Sequence, residues 1–438
     1  MDLRSLEESL LHPPQDLKSL SAEEQFARIK EKAAPGHSIV TEEGLLERLK
    51  ESKKNGKPLK IKFGIDPTRP DIHIGHAVSL INLRRLLRMG HEIHVIIGEF
   101  TAMVGDPGGR MDDRPPLSAD QVRENMATYA GQVSRIIDLK AYGVHLHYNS
   151  AWLGKLGLGK WLAITKGISV NSLLQREDFR KRMEGGHSLS LAEFEYALLM
   201  GYDSVELKPD VEVGGMDQFL NFHICRNMME NAGQRPECFV TFDLLPGISG
   251  ERDSEGRLAK MSKSLGNYIP VEATPADMYG KVMSIPDEVM WIYFRELTEI
   301  SQVQLTELRT GVASGAHHPK EAKAMLARLV VANFHPHEPG AVESAEKDFN
   351  SKFGKNAQLV PEHVEVISPV SGQTLGEALK LASGESATQL VRLIKQKGLV
   401  ILQGEAYAPL EEAALKQKLD LYSGQVFKIG KLRYFKVA

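Results

Sequence analysis

Apolar residues recur along this chain with two periods, and the change from one to the other marks out its elements. Through residue 55, leucines and isoleucines fall at heptad-like spacing among many charges, which predicts helices. From Lys60 to Ile65 the period shortens to two. Ile61, Phe63 and Ile65 then share one face, as in a strand. A turn segment, Asp66-Pro67-Thr68-Arg69-Pro70, follows. Ala77 to Met89 carries leucines at helical spacing, with Gly90 placed to stop the helix. Glu92 to Gly98, rich in Ile and Val, predicts a second strand. Strand, helix and strand in so short a stretch read as a βαβ unit with parallel strands. Val144 to Tyr148 and Val211 to Val213 extend the pattern, giving a doubly wound α/β nucleotide-binding architecture over residues 56–275.

Beyond Pro275 the pattern is helical to about residue 350. A polar stretch with Gly and Pro, residues 351–374, is expected to be a linker, and residues 375–438 to form a small mixed α+β unit. Residues 1–55 are expected to stand before the catalytic part as a helical segment.

Composition narrows the class. The chain has 438 residues, 42% apolar and 25% charged, which suits a globular protein of several domains. It has no long uncharged apolar run, so no membrane span is expected. The acidic, amphipathic start lacks the basic and apolar parts of a secretory signal. Cys225 and Cys238 are its only cysteines, too few for a disulfide scaffold, and fit a reducing, cytoplasmic setting. Net charge is −3, yet the last 48 residues hold nine Lys and Arg against four acids, a local excess of +5. That excess fits a solvated basic surface or a nucleic-acid footprint, and position alone does not decide between them.

Two motifs carry chemistry. His73-Ile74-Gly75-His76 stands where the first strand of the βαβ unit passes into its helix. Ligands bind at that edge, and a helix N-terminus there offers free N–H groups and a positive dipole end to phosphate. Gly75 admits a ligand close to the backbone. His73 and His76, three apart, can face one side of the first turn. Alone, this motif also fits two ordinary turn histidines, and with no cysteine or suitably placed Glu nearby, no metal site is expected. The second motif, Lys260-Met261-Ser262-Lys263-Ser264, puts two lysines three apart in a Ser- and Gly-rich loop. Such a loop can act as a mobile cationic clamp on developing phosphate charge.

Together these motifs resemble the HIGH and KMSKS signatures of class I aminoacyl-tRNA synthetases. Residues 63–68, 105–110, 196–203 and 214–218 resemble the tyrosine-specific branch, and residues 375–438 are similar to the S-four type RNA-binding domain that ends bacterial members. The long bacterial branch is the nearest match. The resemblance implies that His73, His76, Lys260 and Lys263 act on ATP phosphates. It implies that Gly75, Gly214 and Gly215 leave room for the nucleotide, with Asp217 toward the ribose. For L-tyrosine it implies Asp106 at the ammonium, Asp203 at the phenol hydroxyl, and Tyr196 and Gln218 completing the pocket. Thr101, Arg110 and Arg114 fall on loops near the reactants. Magnesium with ATP, tRNA(Tyr) as acceptor and a homodimer are implied as well. The chain departs from the family pattern twice. Met200 stands where many members have glutamine, and Lys62 where one branch has tyrosine. Two other readings remain at this point: a paralogue activating another amino acid, and an RNA-binding protein that does no chemistry.

Overall fold

A computed structural model describes residues 2–68, 72–105, 117–174, 177–253, 255–263, 265–353, 364–368, 372–396, 398–403, 406–430 and 433–438. The chain forms two compact units, Met1–Val342 and Glu343–Ala438.

The first unit is built on six strands: β1 (Ile39–Val40), β2 (Lys60–Ile65), β3 (Glu92–Ile97), β4 (Val144–Tyr148), β5 (Val211–Gly215) and β6 (Cys238–Phe242). Their order is β1-β6-β5-β2-β3-β4. The five strands from β2 onward pair in parallel, while β1 joins β6 antiparallel. Parallel strands covered on both faces read as near-continuous apolar runs. Ile93, Val95, Ile96 and Ile97 of β3 and every residue of β6 are accordingly buried. After β2 the chain builds outward to β3 and β4, then returns to the other side of β2 to place β5 and β6. The order therefore reverses between β2 and β5, and the crevice at their carboxyl ends is where such sheets bind ligands.

The helix Ile74–Arg88 links β2 to β3 and buries Ala77, Leu80, Ile81 and Leu83. Residues 1–55 are not a free-standing segment. They supply β1, and the helix Ala22–Lys32 ends on Lys32, whose buried ammonium donates to the carbonyls of Arg295, Thr298 and Ile300 at 3.0, 3.3 and 2.6 Å. Those contacts help satisfy carbonyls at and just past the end of the helix Asp287–Leu297, where Arg85 also donates to the Thr298 carbonyl at 2.6 Å.

The second unit holds β7 (Glu365–Ile367), β8 (Leu399–Gln403), β9 (Ala406–Pro409), β10 (Val426–Ile429) and β11 (Arg433–Val437), in the order β7-β11-β10-β8-β9. Helices Leu375–Ser383 and Ala387–Lys395 start on capping boxes, Thr374 with Glu377 and Ser386 with Gln389. Leu375, Leu379, Leu399, Phe427, Phe435 and Val437 make its core. The polar stretch 351–374, expected as a linker, instead contributes β7, paired in parallel with β11. Three residues with one buried side chain, Ile367, are too short a run to show a period. Among the described residues, no helix is long and apolar enough to cross a membrane.

Candidate active site

A cleft of about 870 Å³ opens at the carboxyl ends of β2 and β5. Of the residues singled out in the sequence, Gly75, His76, Thr101, Tyr196, Asp203, Gly214, Gly215, Asp217, Gln218 and Lys260 line it, as do the two departures, Lys62 and Met200. Asp106, Arg110, Arg114 and Ser264 lie outside the described residues.

The first signature motif is joined through backbone to the segment that follows the second. Ile74 N–H donates to the Ile269 carbonyl at 2.9 Å, and His73 bridges to Pro270. Asn267, buried, accepts from Ser262 N–H at 2.8 Å and so shapes the loop that carries both lysines. Lys260 reaches the cleft, 4.0 Å from Asp217, while Lys263 does not line it. His73 is buried and stacks on His76, with ring centroids 3.8 Å apart. The backbone N–H of His73 donates to His76 Nδ1 at 3.3 Å. This bond assigns the neutral ring's proton to Nε2, leaving that N–H as the donor. The His76 ring touches the cleft's own solvent yet is walled in by protein. That confinement, then Lys263 and Lys260, lowers its pKa below the usual histidine value. At neutral pH His76 therefore donates as a neutral imidazole, and the cations at this end are the lysines.

A connected polar network surrounds Asp66 and Asp203. Tyr196 hydroxyl donates to Asp66 at 2.9 Å, and Thr101 hydroxyl donates to the same carboxylate at 2.7 Å. Asn149 Nδ2 donates to Thr101 Oγ1 at 3.1 Å and to Asp203 at 3.3 Å. Trp152 Nε1 donates to the other Asp203 oxygen at 2.7 Å. Asp203 is buried, and burial pushes its pKa up to about 7 against the opposing pull of Lys62, Trp152 and Asn149. Sequence reasoning assigned no role to Asp66, Asn149 or Trp152. The available signal was the residue just past the end of β2 and β4, the position where doubly wound sheets place ligand-binding groups.

Behind Asp203 lies a second buried layer. Lys62 donates to Ser204 Oγ at 2.7 Å and the Met200 carbonyl at 3.3 Å, and pairs with Glu212 at 2.8 Å. Burial opposes its charge, but Glu212, then Cys225, Glu237 and Asp203, outweigh that and hold its pKa above the usual lysine value. Burial, then Glu212, drives the Glu237 pKa well up. The β2 alternation, read with one apolar face, thus hides a fully buried lysine on the other.

The glycines are required by protein packing as much as by any ligand. A Cβ on Gly75 would stand 2.9 Å from His73 Nδ1, one on Gly214 2.7 Å from Phe222 Cζ, and one on Gly215 2.7 Å from Asp217 Oδ1. Gly98 leaves the room that Asp66 occupies.

Residues 53–353 match the family described as tRNA synthetases class I (W and Y). The tyrosine--tRNA ligase of Haemophilus influenzae is 38% identical over 399 residues, 91% of this chain and 94% of its own. That of Bdellovibrio bacteriovorus is 38% identical over 423 residues, covering 95% and 99%. That of Shewanella oneidensis is 39% identical, covering 91% and 95%. Among solved structures, a C-terminally truncated mitochondrial tyrosyl-tRNA synthetase of Coccidioides posadasii shares the fold, with TM-score 0.58 and 22% identity over 79% of this chain and 97% of that one. An Archaeoglobus fulgidus tyrosyl-tRNA synthetase complexed with L-tyrosine does so at TM-score 0.56 and 20% identity, over 75% and 99%. Near-complete coverage by relatives at this identity, on a fold that joins both signature motifs at one cleft, means that the chain belongs to the class I tRNA synthetases, in the tyrosine--tRNA ligase family.

Proposed function

We propose that this cleft binds tyrosine and ATP side by side, forms tyrosyl-adenylate and passes the tyrosyl group to tRNA(Tyr). The observation that carries the reading is that one cleft gathers Lys260 and the His76 N–H from the two signature motifs together with the buried Asp203 carboxyl. Tyrosine lies with its phenol at Asp203 and its ammonium toward Tyr196, Gln218 and Asp106. The tyrosine carboxylate attacks the α-phosphorus of ATP in line, forming a C–O–P link as the bond to pyrophosphate breaks. His76 donates to the phosphate oxygens, Lys260 and Lys263 offset charge on the departing pyrophosphate, and Asp217 faces the ribose. These groups position and stabilise, and none forms a covalent intermediate. A terminal ribose hydroxyl of tRNA then attacks the adenylate carbonyl and releases AMP. The described residues at the phosphate end present cations and imidazole rather than a carboxylate cage. Magnesium therefore enters as the counter-ion of ATP, held by phosphate oxygens and water.

The test is ATP–pyrophosphate exchange across a panel of amino acids, with tyrosine as the sole efficient substrate. Exchange with another amino acid in its place would support the paralogue reading, and none at all the RNA-binding one. Lys260→Ala and Lys263→Ala should each slow adenylate formation on the order of 10²–10³, the typical effect of losing one stabiliser of developing charge. Tyrosine affinity, read by equilibrium titration, should stay nearly constant, because the lysines act on the transition state. Collapse of that affinity with an unchanged chemical step would make the loop structural.

The second unit is proposed to hold tRNA. Lys428 Nζ lies 5.9 and 5.3 Å from the ring centroids of Tyr407 and Tyr434, a pairing of cation and aromatic faces suited to single-stranded nucleic acid. Because β7 belongs to this unit, a clean truncation removes everything after Phe353. Exchange should survive that cut while tRNA charging, measured at matched low salt, falls sharply. Unimpaired charging would refute the RNA-binding role, and loss of both activities would give the unit a structural one.

A homodimer is proposed from the family and from one exposed face. Leu158 and Leu162, four apart on the helix Leu158–Thr165, are 70% and 59% exposed. Leu162→Asp should shift sedimentation from dimer toward monomer. A wild-type chain that sediments as a monomer at micromolar concentration would end the proposal.

A further inference from the structure

At the β4 edge of the first sheet, outside the residues that line the cleft, histidines repeat with the strand period, and His147 packs on Trp152 with ring centroids 6.2 Å apart. Glu92 and His94 alternate on β3, and His145 and His147 on β4. Parallel register sets His94 opposite His145, so the side chains share one face. The ring centroids of His94 and His145 are 4.6 Å apart, and those of His94 and His147 are 5.2 Å apart. His94 is 7% exposed, and its Nδ1 lies 3.0 Å from His147 Nε2. Its other nitrogen, Nε2, is buried without a hydrogen-bond partner, and the nearest Glu92 oxygen is 3.7 Å away, too far to satisfy it. One ligand atom from each of Glu92, His94 and His145 lies within 4.8 Å of the other two.

We propose that Glu92, His94 and His145 bind one divalent ion of the zinc class on this edge, with His147 holding His94 in the ligating tautomer. Two imidazoles and a carboxylate with a water in the fourth position are a common zinc donor set. Metal binding selects the form in which His94 Nδ1–H donates to His147, which leaves the orphaned Nε2 lone pair for the ion. A ring nitrogen so engaged is the usual support of a ligating histidine. His145 is exposed at the strand edge, so its ring can turn onto the ion, and the ion can reach the site from solvent. Lys60, in register with Glu92, is exposed, and water screens its charge. Another three-residue candidate among the described residues, Glu212 with Cys225 and Glu237, is fully buried and already engaged with Lys62.

The test titrates zinc chloride into the untagged full-length chain after chelator treatment, without ATP or magnesium, by calorimetry. One equivalent per chain is expected, together with a rise in melting temperature, since an ion that binds the folded state stabilises it. His145→Ala, at an exposed position, should abolish both effects without changing the melting temperature of the metal-free protein. Glu92→Gln should weaken binding, and His147→Ala should do so by about 10–100-fold. Cys225→Ser should bind as the wild type does. No zinc binding by the wild type, or full binding by His145→Ala, overturns the proposal. Loss in Cys225→Ser with retention in His145→Ala would place the ion in the buried cluster and overturn it equally.

Discussion

Replacing Asp203 with alanine is expected to erase most of the preference for tyrosine over phenylalanine in pyrophosphate exchange. Asp203 is buried in the cleft wall, and its oxygens already accept from Trp152 and Asn149. A phenol hydroxyl would complete their hydrogen bonding. Phenylalanine would leave the buried carboxyl short of a donor, and a site built around a hydroxyl rejects the analogue that lacks it. Tyrosyl enzymes are themselves the standard illustration of this rule, so its figure of about 10⁴–10⁵ belongs to them and sets only a ceiling here. The ratio of kcat/KM for the two amino acids, in wild type and variant, checks the assignment. Equal use of both by the wild type would sink it.

The same carboxyl gives a pH dependence with a definite sign. Its pKa of about 7 means that the free enzyme carries a carboxylate above that pH and a protonated acid below it. Only the carboxylate accepts the phenol proton fully, so binding tyrosine favours deprotonation. KM for tyrosine should rise as pH falls below 7, while KM for ATP should not follow it. A tyrosine KM that is flat from pH 8 to about 5.5 would place the titration elsewhere.

Legibility in the sequence followed the range of the interactions. The β2, helix and β3 unit could be read because period and turn chemistry are local, and both signature motifs could be read because each is a short string. The backbone bond from Ile74 to Ile269 could not be, since nothing near either residue encodes the other. Asn149 and Trp152 were missed for the same reason. Their role depends on Asp203, which lies about fifty residues further on, and an asparagine after a strand looks like any turn residue. The strands β1 and β7, of two and three residues, are too short to carry a period, and each exists because a longer strand needs a partner. His94, His145 and His147 read as the polar side of alternating strands. Only the register between β3 and β4 brings them together.

Lys62→Met should destabilise the first unit by about 3–5 kcal/mol, the usual result of stripping the partner from a buried charge. Methionine fills similar space, so little of the loss would come from a cavity. What remains is Glu212, fully buried, whose ion pair with Lys62 at 2.8 Å is gone. Glu237, whose pKa is driven up by burial and then by Glu212, brings no cation to replace Lys62. Denaturant midpoints, followed by the near-ultraviolet signal of the catalytic unit, measure the effect. Replacing both members, Lys62→Met with Glu212→Met, should recover most of the loss, because a buried pair exchanged for apolar groups is often neutral. The double variant would still differ from wild type in one respect. Lys62 is the cation that pulls the Asp203 pKa down, so its removal should move the rise in tyrosine KM to higher pH even where stability is restored. Wild-type stability in Lys62→Met would mean that the buried pair with Glu212 contributes nothing net to the fold. A restored double variant with an unshifted pH profile would mean that Lys62 supports the fold without tuning Asp203.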